Sequence, residues 1–171
     1  MKDRFVDILT YVFSVIVEGI SYITGKRLFG HHNISTPDKK TFYKVAKQVD
    51  DAIHKYTQAQ VALARHAMKE NSTIKIDGSW DHRRHGSLCV VTVIDASSNK
   101  IVDYEIVAKK KQYVEGNTTE PSGNLEMIGV ARIAERWKEF TKATRYIHDN
   151  DGKTRSVIQK SGWKINEFLD F

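Results

Sequence analysis

The apolar residues of this chain change their spacing at Ser72, and this change constrains the fold more than any other feature. Before Ser72 they recur at helical spacing, for example at Phe42 and Val45. After it, STIKIDG alternates apolar and polar residues, and SLCVVTVID and NKIVDYEIVAKK are strand-like as well. The sequence therefore predicts a helical N-terminal region, residues 1–71, followed by an α/β region, residues 72–171.

The order of elements after the third strand narrows the fold class. SGNLEMIGVARIAERWKEFTK predicts a helix with Ser122 as its N-cap. ATRYIHD then predicts a fourth strand, GKTRSVIQKSG a short helix closed by Gly162, and WKINEFLD a fifth strand. An antiparallel meander followed by these elements gives the order β-β-β-α-β-α-β. This is the order of the ribonuclease H-like fold, a mixed sheet whose first and fourth strands are neighbours.

The N-terminal stretch FVDILTYVFSVIVEGISYITG is apolar enough to raise the question of a membrane span. Asp7 and Glu18 lie inside it, and a lipid-facing helix resists such charges. A signal peptide fits these acids poorly too. We therefore predict one buried helix over residues 4–23, ending near Gly25 and Gly30, and expect no membrane partner, with an anchor as the alternative.

The next stretch, NISTPDKKTFYKVAKQVDDAIHKYTQAQVALARHAMKE, predicts a long helix. Ser35 or Thr36 is the predicted N-cap, Pro37 lies in the first turn, and a break is expected near Tyr56. Residues 1–71 carry 11 basic and seven acidic side chains, a net charge of +4 out of +6 for the chain. This basic excess fits a small DNA-binding unit, or equally a plain helical cap on a mildly basic protein.

Two aspartates stand at the predicted ends of the first and fourth strands, Asp77 and Asp149. Because these strands are neighbours in the predicted sheet, we expect the two carboxylates to meet. Hard divalent cations such as Mg²⁺ or Mn²⁺ favour carboxylate oxygens. Two such metals activate an attacking water or hydroxyl and stabilise the leaving oxygen of an in-line displacement. The sequence therefore predicts a metal site at these strand ends.

The segment DNDG, residues 149–152, also has other interpretations. An EF-hand loop would require Gly and Glu where this chain has Thr154 and Lys160. A haloacid-dehalogenase-like phosphotransferase needs a long downstream domain, but only 20 residues follow Asp151. A structural turn stays open, with Asp151 capping the helix that begins near Lys153.

The stretch DGSWDHRRHGS carries further candidate residues. His82 and His85 lie beside Asp81, but no third well-spaced metal ligand accompanies them. Arg83 and Arg84 indicate a basic tip between two strands, which either contacts phosphates of DNA or is simply solvated. The same DNA-binding role is predicted for three lysines that follow the third strand: Lys109, Lys110 and Lys111.

Five short motifs occur in a fixed order along the chain. They are DGSW at residues 77–80, GS at 86–87, KIVDYEI at 100–106, SGNLE at 122–126 and YIHDNDGK at 146–153. Together with the helical region that precedes them, these motifs resemble the Mutator-like transposase domain of eukaryotic DNA transposons. The likeness covers nearly the whole chain.

This resemblance implies a DDE/D-type transposase, which cuts and joins DNA strands with two divalent metals. Asp77 would be the first metal ligand and Asp149 the second, with Asp151 replacing or assisting Asp149. Glu126 matches a recurring glutamate of the family, to which we assign no role. The resemblance also implies transposon-end DNA as the partner, no small-molecule cofactor and a nuclear location, and it leaves a homo-oligomer open.

The chain departs from the family pattern in two places. The loop after the third strand contains no cysteine, so we expect no zinc element there; the single cysteine, Cys89, is predicted to be a buried thiol. The family also has a third acid beyond the position of Phe171, and Glu167 and Asp170 come too early for it. The resemblance thus implies a catalytic domain truncated before its third acid, with impaired activity. The alternative is a non-catalytic remnant that only binds DNA or a protein.

Overall fold

The computed structural model of the protein describes residues 2–32, 34–81, 86–110, 112, 116–148 and 152–169, with side chains described for residues 8–168 of these ranges. The chain divides into two compact units, residues 1–59 and 60–171. The boundary lies inside one long helix. Each unit contains its own cluster of buried apolar side chains.

The first unit begins with two helices, α1 (Lys2–Val17) and α2 (Tyr22–His31). The prediction of one helix over residues 4–23 is therefore wrong. The chain turns at Gly19, whose φ of +65° is a backbone conformation that glycine adopts readily. Gly25 was expected to end the first helix but lies inside α2, where a methyl group would be 2.9 Å from Val15 Cγ2. The glycine thus allows α2 to approach α1 closely.

The third helix, α3 (Lys39–His66), is capped by Asp38 rather than by the predicted Ser35 or Thr36. Asp38 Oδ1 accepts hydrogen bonds from the backbone N–H groups of Lys40 at 2.9 Å and Thr41 at 3.0 Å. The break predicted near Tyr56 does not occur, because the surrounding sequence contains no glycine or proline to interrupt the helix.

Aromatic side chains dominate the core of the first unit. The rings of Tyr22 and Phe42 lie 5.0 Å apart, and Tyr11 meets Phe29 edge-on at 4.9 Å. Val12 of α1 is fully buried beside them, as expected for a helix that packs against protein. These pairs fix the packing of the three helices in this unit.

The membrane question concerns the same N-terminal helices. Among the residues that the structure describes, no single helix is long and apolar enough to cross a membrane. The segments Ile8–Val17 and Tyr22–His31 meet the length and composition criteria only as a pair, which is bent by 118°.

The second unit contains a five-stranded mixed sheet. Its strands are β1 (Ser72–Trp80), β2 (Leu88–Asp95), β3 (Lys100–Ala108), β4 (Ala143–His148) and β5 (Asn166–Leu169). Their order is β3-β2-β1-β4-β5, with β2 antiparallel to both neighbours and β4 parallel to both of its neighbours. The α/β class, the antiparallel meander and the neighbouring first and fourth strands are thereby confirmed.

Two helices of this unit, α4 (Leu125–Trp137) and α5 (Gly152–Ser161), pack with the sheet around one apolar core. Ser122, the predicted N-cap, instead begins a short 3-10 turn that leads into α4. Gly162 ends α5 as expected, with a φ of +77°. Buried residues alternate with more exposed ones along β1 and β2, as the sequence pattern predicts.

A buried carboxylate fixes α4 to β3. Asp103 of β3 is only 5% exposed and accepts a hydrogen bond from Trp137 Nε1 at 2.6 Å. Arg65 and Arg136 form ion pairs with it at 3.0 and 3.3 Å. Glu105, two residues further along the strand, pairs with Arg136 at 2.6 Å. The two acids of the KIVDYEI motif are therefore structural in this unit.

Candidate functional site

Four strands of the sheet end at the same edge. Because β2 is antiparallel to both β1 and β3, β1 and β3 run in the same direction. β4 is parallel to β1, and β5 is parallel to β4, so all four strands share this direction. We call the edge formed by the ends of β1, β3, β4 and β5 the carboxyl edge. In open sheets of this kind, ligands bind preferentially outside the carboxyl ends of the strands.

Asp77 was expected at the end of the first strand but lies three residues before the end of β1, because the pairing with β2 continues to Trp80. Its side chain is exposed, while the preceding Ile76 is buried on the opposite face of the sheet. It pairs with Thr92 on β2, whose hydroxyl donates to the Asp77 carbonyl oxygen at 3.4 Å. Within the described part of the chain, its carboxylate has no ion-pair partner. At this position β1 is paired with β2 only, because its pairing with β4 ends at Lys75.

The β1–β4 pairing bears on the expected contact between Asp77 and Asp149. The parallel register runs to the pair Lys75 and Ile147. Each aspartate follows its member of that pair by two residues in the sequence. Asp149 and Asp151 lie outside the described residues, so the meeting of the carboxylates stays a prediction.

The structure adds a carboxyl group to this region that sequence reasoning left without a role. Glu126, in the first turn of α4, lies against the backbone of Gly78, the residue that follows Asp77. A methyl group at position 78 would be 2.6 Å from Glu126 Cδ and 2.7 Å from Oε1. Only glycine therefore lets this carboxyl group lie so close to the strand. The glycine after Asp77 was the one signal of this contact in the sequence.

The pKa of Cys89 is affected by the negative charge of the same region. It is completely buried and pairs with Trp80 across β1 and β2. Burial, and to a lesser extent the charges of Glu126, Asp77 and Asp81, raise the pKa of its thiol to about 12. The thiol is therefore protonated at neutral pH and does not act as a thiolate nucleophile or metal ligand.

The base of the β1–β2 loop is closed by Asp81. The backbone N–H of Ser87 donates to Asp81 Oδ1 at 3.0 Å, and the Asp81 N–H donates to the Leu88 carbonyl at 3.2 Å. The predicted basic tip, with Arg83 and Arg84, and the two histidines beside it lie outside the described residues.

Two of the three predicted DNA-contacting lysines follow β3 at the carboxyl edge. The Lys109 ammonium donates to Ser122 Oγ at 3.1 Å, at the turn that precedes α4. Lys110 is exposed, and both lysines line a cavity of about 200 Å³ together with Glu120. Lys111 lies outside the described residues. By the strand register Asp77 is level with Tyr104, so Lys109 follows five residues further along the chain from that point, with β2 between β1 and β3.

Glu167 on β5 is occupied by structural contacts. Its carboxylate binds Arg155 at 2.7 and 2.8 Å and His148 Nε2 at 2.8 Å. The hydrogen bond from Arg155 is the main cause that lowers the pKa of Glu167. This carboxylate ties the end of β4 to β5 and α5, so it is not the third acid of a metal site.

No group of three or more His, Cys, Asp or Glu side chains is arranged to hold a metal ion within the described ranges. Two predicted ligands, Asp149 and Asp151, lie outside those ranges. No protein-family model matches the chain, and no curated protein matches it significantly. The residues themselves therefore carry the functional argument.

Proposed function

We propose that this chain is a Mutator-like transposase domain with a ribonuclease H-like fold, and that its carboxyl edge cleaves and joins DNA strands with divalent metals. The observation that carries the proposal is the parallel pairing of β1 with β4, in the order β3-β2-β1-β4-β5. It puts the strand that bears Asp77 beside the strand that leads into Asp149.

The residues of this edge fit Mg²⁺ or Mn²⁺. Asp77 offers an exposed carboxylate, and Asp149, with Asp151 assisting, would supply the others. The Glu126 carboxyl group at Gly78 adds a further hard oxygen donor nearby. The single cysteine of the chain, Cys89, is buried and its thiol is protonated. When bound, divalent cations activate the attacking oxygen and stabilise the leaving oxygen of the displacement.

The protein itself supplies position and charge. Asp77 stands on a strand and pairs with Thr92 of β2, which holds its carboxylate more firmly than a loop would. Lys109 and Lys110 bind phosphates of the DNA backbone at the same edge, and Arg83, Arg84 and Lys111 extend this contact. In the cleavage step a water oxygen bonds to phosphorus as the bond to the leaving oxygen breaks. In the joining step a strand-end hydroxyl takes the place of water.

A second candidate function is that of a non-catalytic remnant that binds DNA or a protein. The contacts of Glu167 favour this second function. Arg155 and His148 occupy its carboxylate, which is the one carboxylate of β5 within the described residues. A site that lacks one of several cooperating ligands loses most of its activity.

A nicking assay on supercoiled plasmid separates the two functions. The purified chain is incubated with Mn²⁺, Mg²⁺ or EDTA, as wild type and as Asp77→Asn, Asp149→Asn and Glu126→Gln. The control is Glu135→Gln, which alters an exposed acid of α4 that pairs with Lys138. The proposal expects metal-dependent nicking that both aspartate variants abolish, Glu126→Gln reduces and Glu135→Gln retains. Nicking that survives Asp77→Asn would overturn it, and DNA binding without any nicking would establish the remnant.

A further inference from the structure

The first half of α3 carries a row of lysines on its exposed face. Lys40, Lys44 and Lys47 recur at helical spacing, on the side opposite the buried Phe42. Tyr43 lies in the same row and is 54% exposed. We call Lys40, Tyr43, Lys44 and Lys47 the lysine stripe.

The charges of the lysine stripe are not paired with acids in the part of the chain that the structure describes. None of its three lysines forms an ion pair with a described residue. The nearest acid at the start of the helix, Asp38, uses its carboxylate as the cap, bonding Lys40 N and both the N–H and hydroxyl of Thr41. The hydrogen bond from the Thr41 hydroxyl is the main cause that lowers the pKa of Asp38. The next acids along the helix are Asp50 and Asp51, about one turn beyond Lys47.

Helix stability does not account for this placement. The N-terminal end of a helix carries a partial positive charge, which disfavours lysines there, and α3 has no acid in its first turn. Lys40 and Lys44, four residues apart, also repel each other, as do Lys44 and Lys47, three apart. The stripe therefore destabilises the helix in the free protein, and a bound polyanion would relieve that repulsion.

We infer that the lysine stripe is a docking surface for the phosphodiester backbone of a nucleic acid. Its charges extend over eight residues, from Lys40 to Lys47, or about 10 Å of helix, which matches roughly three steps of a nucleic-acid strand. Tyr43 is held edge-on against Phe42 at 5.3 Å, so an aromatic ring and its hydroxyl are fixed among the charges. Rigid aromatic groups beside cations suit both phosphate contact and base stacking. The choice of DNA as the natural ligand rests on the proposed function. The inference that the stripe binds a nucleic-acid backbone does not.

The test measures the salt dependence of DNA binding by the full chain. Fluorescence anisotropy of a labelled duplex, in EDTA so that no cleavage occurs, gives the slope of log K against log salt. The triple variant K40Q/K44Q/K47Q should lower the magnitude of this slope by about 2.7, that is about 0.9 for each phosphate contact, and weaken binding about tenfold or more at moderate salt. The matched control K69Q/K160Q/K164Q removes the same charge from exposed lysines of the second unit and should change the slope little.

Binding of three further ligands is measured in the same way to identify what the stripe binds. Single-stranded DNA and RNA of the same length show whether the stripe prefers one backbone, and vesicles containing phosphatidylserine present anionic charge without a nucleic acid. Stripe-dependent binding to any of the nucleic acids supports the inference. Equal losses in the triple variant and its control would overturn it, and so would stripe-dependent binding to vesicles alone. Plasmid nicking that fails while this binding persists rejects the proposed function and leaves the stripe intact.

Discussion

Replacement of Asp103 tests how the second unit holds β3 to α4. Its Oδ2 accepts the indole N–H of Trp137 at 2.6 Å inside the core. Asp103→Ala leaves that buried donor without a partner, which costs about 1–3 kcal/mol. It also removes the counter-charge of Arg65 and Arg136, and breaking a buried ion pair costs about 3–5 kcal/mol. Both arginines are about a third exposed and remain hydrated. We therefore expect Asp103→Ala to lower the free energy of unfolding by about 3 kcal/mol, the lower end of the range for a broken buried ion pair.

The assay is urea unfolding, followed by circular dichroism and tryptophan fluorescence. Asp103→Asn keeps a side-chain oxygen for the Trp137 N–H, so its loss of unfolding free energy should be intermediate. The control is Glu105→Ala, whose carboxylate pairs with Arg132 and Arg136 at the partly exposed rim of the network, and it should cost about 1 kcal/mol. A loss for Asp103→Ala within about 0.5 kcal/mol, the range of ordinary surface changes, would refute the reasoning.

Three other predictions follow from buried contacts and shifted pKa values. Gly129→Ala should lower the urea midpoint although alanine favours helices by about 1 kcal/mol, because its methyl group would lie 2.5 Å from Val91 Cγ2 in the core; a higher midpoint would contradict the packing. Since Arg155 holds the pKa of Glu167 below its ordinary 4.5, this carboxylate stabilises the fold above that pH and stops doing so as the pH falls through the lowered pKa. Glu167→Gln should thus be less stable than wild type near neutrality and equal to it in strong acid; a gap that persists in acid would show another cause. Cys89, with its pKa raised to about 12 by burial, should react with a disulfide reagent at mildly alkaline pH only after denaturation, and rapid reaction of the native protein would show that the thiol is accessible.

The sheet could be predicted from the sequence because its signals are local. The alternation of Ile74 and Ile76 and the apolar run around Val91 determine strands whatever their neighbours are. The N-terminal helices were harder to predict, because the chain turns at Gly19 within a largely apolar stretch that contains no proline. Glycine is compatible with a helix, a turn or close packing, and only the tertiary contact with Val15 identifies Gly25 as a packing position.

The residues of the candidate site also differ in how far the sequence alone could identify them. Asp77 could be identified as a candidate because an aspartate beside a glycine after alternating isoleucines is visible in a short stretch of sequence, although the strand end was set three residues too early. Glu126 could not be assigned, since its carboxyl group meets Gly78 only after α4 packs on the sheet. The two contacts that occupy Glu167 also arise from different elements, β4 and α5. The partners in these contacts are far apart in the sequence, so a local pattern does not identify them.

Direct titration with Mn²⁺, followed by electron paramagnetic resonance of the free ion, tests the central claim most directly. The wild-type chain should bind the ion, Asp77→Asn and Asp149→Asn should each abolish or strongly weaken binding, and Glu126→Gln should weaken it. Asp51→Asn, which removes an exposed acid of the first unit, should bind like the wild type. Binding by Asp77→Asn that equals that of the wild type would contradict a metal site at the carboxyl edge.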